Sequence, residues 1–238
     1  MNKKILIIIF WIMLWSLAAI LVNNSLLLPA PWTVAMSLFT LMTTGQFYLA
    51  VLMTVARVIL GFILAMVIGS LFAVLSYRFN IFNEFIKPVI DLLKAVPVAC
   101  FIIMVLVWFK ADRAVIVTSI LVIMPIVYSN IYEGLSSMDK QLLEIASLYK
   151  VSLKDGIRFL YLKSLKPFID ATVSVCLGTG YKSLIAAEII ALPALSIGKG
   201  IYNSKIYLET SNLFAYAIVI VLISYLSERM IRRMIGHD

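Results

Sequence analysis

The sequence predicts an all-α membrane protein with six transmembrane helices, and three observations support this fold class. Hydrophobic residues make up 63% of the 238 residues and charged residues only 13%, which excludes a water-soluble globular protein. Uncharged runs long enough to cross ~30 Å of hydrocarbon recur along the chain. Lys and Arg cluster between these runs, so the formal net charge of +8 indicates membrane topology rather than a nucleic-acid-binding surface.

Five uncharged or nearly uncharged runs predict membrane spans directly. They cover residues 5–22, 58–77, 95–109, 114–132 and 210–227. A sixth span is inferred from Pro167 to about Leu192, where three charged residues interrupt an otherwise apolar helical pattern: Asp170, Lys182 and Glu188. Pro97 and Pro125 are expected to kink their helices. Six crossings place both termini on the same side of the membrane.

The first run predicts an uncleaved helix within residues 1–24. Lys3 and Lys4 precede its apolar core, which is also the pattern of a signal peptide. The length of the run, and the poor cleavage signal in Ser16-Leu17-Ala18, favour a helix that is retained.

Residues 25–46 predict a short helix on the outer side of the membrane. Pro31 is a good first helical residue, Trp32 is a candidate interfacial anchor, and Gly45 ends the pattern. Ordinary packing of this segment against the helical bundle explains the same pattern equally well.

Clustered cations predict the orientation of the chain. Residues 23–56 carry no charge, whereas the loop 136–166 is rich in lysine and the C-terminal tail is rich in arginine. By the positive-inside rule, that loop and both termini are cytoplasmic.

The loop 136–166 predicts two short amphipathic helices. Helix-start patterns occur at Ser136 to Asp139 and at Ser152 to Asp155, and apolar residues follow each at helical spacing up to Pro167. Such an elbow can seat apolar side chains in a cleft of a soluble partner while its charges fix the register. A basic loop that simply lies on the inner membrane surface remains the alternative.

Three charges are expected in the outer third of the membrane: Arg57, Lys182 and Glu188. We hypothesise that Glu188 pairs with Arg57 or Lys182, leaving a positive lining that suits an anion. Interfacial snorkelling is the alternative, especially for Arg57. Gly178 and Gly180 indicate a hinge or a close helix contact, and packing is the favoured interpretation.

The sequence contains few groups for catalysis. Cys100 and Cys176 lie in apolar runs, and the single histidine is His237 near the C-terminus. Paired catalytic carboxylates, a Ser/His set and metal-ligand clusters are not recognisable. The glycine-rich segments 180–183 and 198–200 lack phosphate-binding spacing, so we expect neither a cofactor nor ATP hydrolysis by this chain.

Residues 144–163 resemble the EAA motif of binding-protein-dependent ABC importer permeases. Glu144, Ala146 and Leu162 match the motif, and Leu160 is a conservative replacement. Three positions depart from it: Ile145 replaces alanine, Lys150 replaces the glycine between the two helices, and Lys163 replaces proline. The lysine at 150 either carries strain or forces a different turn.

Further segments resemble the nitrate, sulfonate and taurine branch of these permeases, in the same order. They are Leu28-Pro29-Ala30-Pro31, the run 57–62, Lys94-Ala95-Val96-Pro97, Val107-Trp108-Phe109, and Gly178 to Lys182 with Ala186-Ala187-Glu188. The resemblance implies a single permease domain spanning 1–238, with the core at 47–233, the coupling loop at 136–166 and a tail at 234–238.

The resemblance also implies the partners and the site residues. A permease dimer would bind an ATP-hydrolysing subunit and an extracytoplasmic substrate-binding protein, in the plasma membrane. Residues expected to couple to the ATPase are Leu143, Glu144, Ala146, Lys150, Gly156, Leu160 and Leu162, and those expected along the translocation pathway are Arg57, Gly178, Gly180, Lys182 and Glu188. The expected solute is small, for example a sulfonate-like anion. A channel or scaffold without ATP coupling is the alternative.

Overall fold

The computed structural model describes residues 3–234, which form helices and the turns between them. His237 and the rest of the predicted tail after Met234 lie outside the described residues. The α-helices are α1 (Lys3–Val22), α2 (Pro31–Met42), α3 (Gly45–Arg78), α4 (Asn80–Ala95), α5 (Val98–Val105), α6 (Ala111–Ser136), α7 (Lys140–Leu148), α8 (Leu153–Asp155), α9 (Leu162–Ala191), α10 (Ile197–Ile206) and α11 (Thr210–Met234). A π-helical segment, Gly156–Tyr161, joins α8 to α9.

Within the described chain, five helical segments are long and apolar enough to cross a membrane, and a bent pair of helices makes up to six. The five are α1, α3, α6, α11 and the segment Gly156–Ala191 that includes α9. The all-α membrane fold predicted from the sequence is therefore confirmed. The short helix predicted after Pro31 is also present as α2, with that proline in its first turn.

The predicted second span, 58–77, begins too late. Helix α3 starts at Gly45 and runs for 34 residues, with Arg57 buried in its interior. The prediction treated Arg57 as the end of an apolar run. An arginine whose charge is matched by a buried carboxylate does not have to end a span, because the pairing offsets part of the cost of leaving water.

The predicted third span, 95–109, is not a continuous kinked helix. Helices α4 and α5 meet at an angle of 106°, and the eight residues of α5 rise only ~12 Å. Val96 and Pro97, which lie between the two helices, have extended backbone conformations. A residue that precedes proline is expected to be extended, and Pro97 directly precedes the first residue of α5. Pro97 thus separates two helices, whereas Pro125 lies inside the uninterrupted α6.

The contacts at glycines give the directions of the main helices. A Cβ on Gly61 would lie 3.0 Å from Ser119 Oγ, and one on Gly69 would lie 2.8 Å from Val127 Cβ, so α3 and α6 run parallel. The chain must therefore return across the bundle between them, and α4 with α5 makes this return. Helix α9 runs antiparallel to α6, since Gly134 faces Leu165 and Gly180 faces Ile123.

Helix α6 forms the centre of the bundle between α3 and α9. Its buried side chains include Ile123, Val127 and Ile131, which pack in one apolar cluster with residues of both neighbours. The turns around residues 137–161 lie at one end of this bundle, which we call the elbow end. The opposite end, which contains Arg57, Asp112 and Glu188, is the distal end.

The elbow (residues 137–161) differs from its prediction at Pro167. The second amphipathic helix was expected to stop there, but α9 begins at Leu162 and continues past Pro167 to Ala191. Leu165 and Phe168 on either side of the proline pack against Gly134 of α6, which supports the helix where a backbone hydrogen bond is missing. The second half of the elbow is therefore continuous with a membrane-spanning helix.

Candidate functional site

A buried ion pair lies at the distal end of the bundle. Arg57 Nη1 is 2.9 Å from Glu188 Oε1, and the two side chains are 5% and 0% exposed. The other terminal nitrogen of Arg57, Nη2, contacts Asp112 Oδ1, whose side chain is 59% exposed. One guanidinium thus joins α3, α6 and α9 through two carboxylates in very different surroundings.

Glu188 also holds the start of α10 in place. Thr54 Oγ1 lies 3.0 Å from each of its carboxylate oxygens, and the backbone N–H of Gly198 donates to Oε2 over 3.1 Å. The N–H of Ile197 donates to Thr54 Oγ1 over 3.0 Å. A carboxylate is favoured at this position because the N–H groups of a helix start carry partial positive charge.

Close packing at Gly198 fixes this arrangement. A Cβ added there would lie 2.3 Å from Glu188 Cβ and 2.7 Å from the carbonyl carbon of Glu188. The chain reverses between α9 and α10 through Leu192, whose φ is 53°. Arg57 Nη1 also donates to the carbonyl oxygen of Leu195 in this turn, over 2.9 Å. The result is a densely bonded joint between α3, α9 and α10, which we call the distal joint.

The hypothesised pairing of Glu188 is therefore present with Arg57 and not with Lys182. Lys182 and Glu188 are six positions apart in the sequence, which amounts to roughly 240° around the helix and ~9 Å along it. Glu188 points into the bundle, whereas Lys182 is exposed. Two carboxylates match the charge of Arg57, whereas no ion pair among residues 3–234 includes Lys182, so its charge is unmatched there.

Asp112 was not identified from the sequence. It lies between two cations, Lys110 and Arg113, at the start of an apolar run, where a loop charge is the ordinary interpretation. Its partner, Arg57, is 55 positions away in the sequence. The signal that pointed to it is a carboxylate two residues before the predicted span 114–132, on the side of the membrane where Arg57 was expected.

Lys182 lies on a face of α9 that the rest of the chain leaves uncovered. This open stripe consists of residues at helical spacing, of which all but the half-buried Gly178 are exposed: Ala171, Val175, Gly178, Lys182, Ala186 and Ile190. A Cβ on Gly178 would have no neighbour within 4 Å. Gly180, in contrast, points at Ile123 Cδ1, 3.0 Å from the position of an added Cβ. The packing interpretation thus fits Gly180 but not Gly178.

The elbow exposes a set of apolar side chains. Leu148 and Tyr149, at the end of α7, are 79% and 81% exposed. Further exposed apolar residues are Leu142, Ile145, Val151, Ile157, Phe159 and Leu162. Phe159 also lies under two cations, with Arg158 Cζ at 5.4 Å and Lys163 Nζ at 5.9 Å from its ring centroid.

The residues predicted to couple to a partner divide into two groups. Glu144 and Lys150 are exposed, as is Leu162, while Ala146 and Gly156 are half-buried. Leu143 and Leu160 instead pack against the apolar cluster centred on α6. Both side chains are half-buried, and their part in an apolar docking surface stays a prediction.

Lys150 takes the position that glycine usually occupies after a helix. Its φ is 48°, and the N–H of Val151 donates to the carbonyl oxygen of Ala146 over 3.0 Å. This hydrogen bond across a left-handed residue is that of the Schellman motif. Of the two outcomes predicted for a lysine here, the structure shows the strained left-handed conformation and not a different turn.

Comparisons with known proteins agree with this architecture. Residues 61–235 match the family described as the binding-protein-dependent transport system inner membrane component. The chain is 22% identical over 228 residues to SsuC of Bacillus subtilis, a permease protein assigned to aliphatic sulfonate transport, covering 95% of this chain and 81% of that protein. It is 24% identical over 226 residues to the taurine transport system permease protein TauC of Escherichia coli, covering 92% and 82%.

The fold also matches a solved structure. A chain of the MetNI methionine ABC transporter, in an inward facing conformation, superposes with a TM-score of 0.63 at 15% identity, covering 81% of this chain and 97% of that chain.

Proposed function

Because the chain belongs to the family of inner membrane components of binding-protein-dependent transport systems, we propose that it carries a small anionic solute through an importer powered by a separate ATP-binding subunit. The chain is a multi-pass permease subunit of an ABC importer. We propose three further features of this subunit: the anionic solute, the second permease copy in the dimer, and the residues that bind the ATP-binding subunit. The sulfonate and taurine relatives and the unmatched Lys182 favour an anion.

The observation that carries the coupling proposal is the exposure of Leu148 and Tyr149. Leu148 is the last residue of α7, which is too short to span a membrane, and Tyr149 follows it beside a turn rich in cations. An exposed apolar surface with flanking charges is typical of a docking site for a soluble protein. We assign the ATP-binding subunit to this surface, with Glu144 and Lys150 at its edge and Leu143 and Leu160 anchoring the elbow to the bundle.

The continuous segment from Gly156 to Ala191 connects that surface to the distal joint. It is 36 residues long and therefore spans ~50 Å. A displacement of the elbow by the ATP-binding subunit would move α9 as a rigid body, carrying Lys182 and Glu188 with it. Alternating access by rigid-body movement of helices follows from such a connection.

The open stripe of α9 is the proposed wall of the translocation pathway. A lysine within a membrane span usually faces water or a charged partner and not lipid, unless it snorkels to the interface. Gly178 and Ala186 above and below Lys182 leave room for a solute beside its ammonium group. The stripe needs a second wall, which a second copy of the chain would supply.

The orientation follows from charge. The elbow carries Lys150, Lys154 and Arg158, and Lys163 and Lys166 follow it at the start of α9. These cations favour a cytoplasmic elbow, with both termini on the same side. The distal end then faces the binding protein outside the plasma membrane.

Co-purification tests the coupling. The permease, expressed with its ATP-binding subunit and extracted in mild detergent, should retain that subunit. The double substitution Glu144→Arg with Ala146→Arg should lose it, whereas Leu26→Arg with Leu27→Arg, exposed at the distal end, should not. Retention of the subunit by the elbow variant would contradict the docking site and would favour a channel or scaffold without ATP coupling.

A further inference from the structure

The two carboxylates on Arg57 are not equivalent. Glu188 is completely buried and has three polar contacts besides its ion pair with Arg57: two with the hydroxyl of Thr54 and one with the backbone N–H of Gly198. Asp112 is 59% exposed and contacts only Nη2 of Arg57 among the hydrogen bonds of the described residues. Glu188 is thus a buried structural residue of the distal joint, whereas Asp112 is an exposed partner of Arg57 at the surface of that joint.

The consequences of removing each carboxylate differ accordingly. Without Glu188 the buried guanidinium would lose the carboxylate that lies with it inside the bundle, which is costly in a low-dielectric interior. Without Asp112 the buried pair of Arg57 and Glu188 stays neutral. Asp112 itself lies in the first turn of α6, where water and the helix dipole stabilise its charge independently of Arg57.

From this asymmetry we propose that the anionic group of a solute replaces Asp112 on Nη2 of Arg57, which makes Arg57 an anion-binding residue at the distal mouth. Asp112 is then the built-in competitor that occupies the site between transport cycles. The inference rests on the proposed function, because it takes the solute to be an anion. Beyond the proposed function, the inference assigns the anion-binding site to Arg57 and the control of access to that site to Asp112.

Charge balance defines the class of ligand. Arg57, Glu188 and the carboxylate of Asp112 on Nη2 together carry a formal charge of −1. When a monoanion occupies Nη2 in place of Asp112, the sum of Arg57, Glu188 and the bound anion is again −1. The displaced Asp112 remains beside Lys110 and Arg113, both exposed. A guanidinium edge binds oxyanions through paired N–H groups, so sulfonate, nitrate and carboxylate groups fit, and an uncharged group of the same shape does not.

The test is calorimetric titration of the detergent-purified complex of permease and ATP-binding subunit with methanesulfonate, with nitrate as a second probe. Asp112→Asn replaces a charged competitor by a neutral one of the same size, and should tighten anion binding roughly fivefold, the difference between a charged and a neutral hydrogen bond. Dimethyl sulfone, the uncharged analogue of methanesulfonate, should not bind. Glu133→Gln, an exposed acid at the other end of α6, should leave the affinity at the wild-type value.

Arg57→Lys should weaken binding in the Asp112→Asn background, because an ammonium group lacks the paired donors. Unchanged or weaker anion binding by Asp112→Asn would overturn the inference. Binding of dimethyl sulfone would also overturn it, and so would a titration in which neither methanesulfonate nor nitrate binds the wild type or the Asp112→Asn variant. If the ATP-binding subunit does not co-purify, the proposed function fails, but titration of the permease alone still tests the anion site. If the complex forms and Asp112→Asn has no effect, only the inference falls.

Discussion

Arg57 and Glu188 lie 131 positions apart in the sequence and form a buried ion pair of 2.9 Å that joins the third and ninth helices. The pair lies at the end of the bundle opposite the elbow, and Glu188 is on the helix that continues into the elbow. This relationship links the part of the chain assigned to ATP coupling with the part assigned to solute entry.

Glu188→Gln should destabilise the protein strongly. The substitution leaves the buried Arg57 with an exposed carboxylate, Asp112, as its charged partner, and breaking a buried pair typically costs about 3–5 kcal/mol. Thermal unfolding in detergent should show a clear fall in melting temperature. Asp112→Asn is the matched control and should cost less than about 1 kcal/mol, as an exposed partner does. Equal losses for the two variants would contradict the assignment of Glu188 as the structural partner.

Gly198→Ala should disrupt the distal joint. The new methyl group would lie 2.3 Å from Glu188 Cβ, so α9 and α10 must separate. Gly178→Ala is the control, since its methyl group meets open space and alanine is favoured in a helix by roughly 0.5–1 kcal/mol. Melting temperature should fall for Gly198→Ala and hold or rise for Gly178→Ala. A fall for Gly178→Ala alone would show that the open stripe is packed in the folded protein.

Lys150→Gly should stabilise the elbow. Glycine adopts the observed φ of 48° without the steric cost of a Cβ, which is about 1 kcal/mol for other residues. Amide hydrogen exchange in residues 140–161 should become slower. The same change at Lys154, inside α8, should accelerate exchange, because glycine in a helix is unfavourable by about 1 kcal/mol. Faster exchange in Lys150→Gly would mean that the left-handed turn is not what limits the stability of the elbow.

Lys182→Met should impair transport of an anion. The substitution keeps an unbranched side chain that is one atom shorter, and it removes the charge of Lys182 from the open stripe. Radiolabelled methanesulfonate should therefore enter vesicles more slowly at low concentration. Lys205→Met, an exposed cation on α10 away from the stripe, should transport normally. Unchanged uptake by Lys182→Met at every concentration would remove this lysine from the pathway.

The sequence was sufficient for features that depend on local composition. Hydropathy predicted the membrane class and helix α2, and the spacing of cations and apolar residues predicted the elbow. The start pattern at Ser152 is confirmed by its hydroxyl, which bonds both the side chain and the backbone of Asp155. The expected depth in the membrane gave two partners for Glu188, Arg57 or Lys182, and the structure shows Arg57.

Features that depend on contacts between residues remote in sequence could not be predicted from local sequence patterns. Arg57 was read as the end of a span because the carboxylates that neutralise it are remote in sequence. The inward direction of Leu143 and Leu160 depends on where α6 lies beside the elbow, which periodicity alone does not give. The sharp break at Pro97 likewise depends on how α4 and α5 pack, since a proline is compatible with either a kink or an end.

ATP-driven solute accumulation tests the central claim most directly. Membrane vesicles that contain the permease, its ATP-binding subunit and the binding protein should accumulate the solute that the binding protein carries, and only while ATP is hydrolysed. Changing Leu148 and Tyr149 together to aspartate should abolish accumulation while the permease remains in the membrane at its normal level. Accumulation that persists in this variant, or without the ATP-binding subunit, would contradict a permease driven through its elbow.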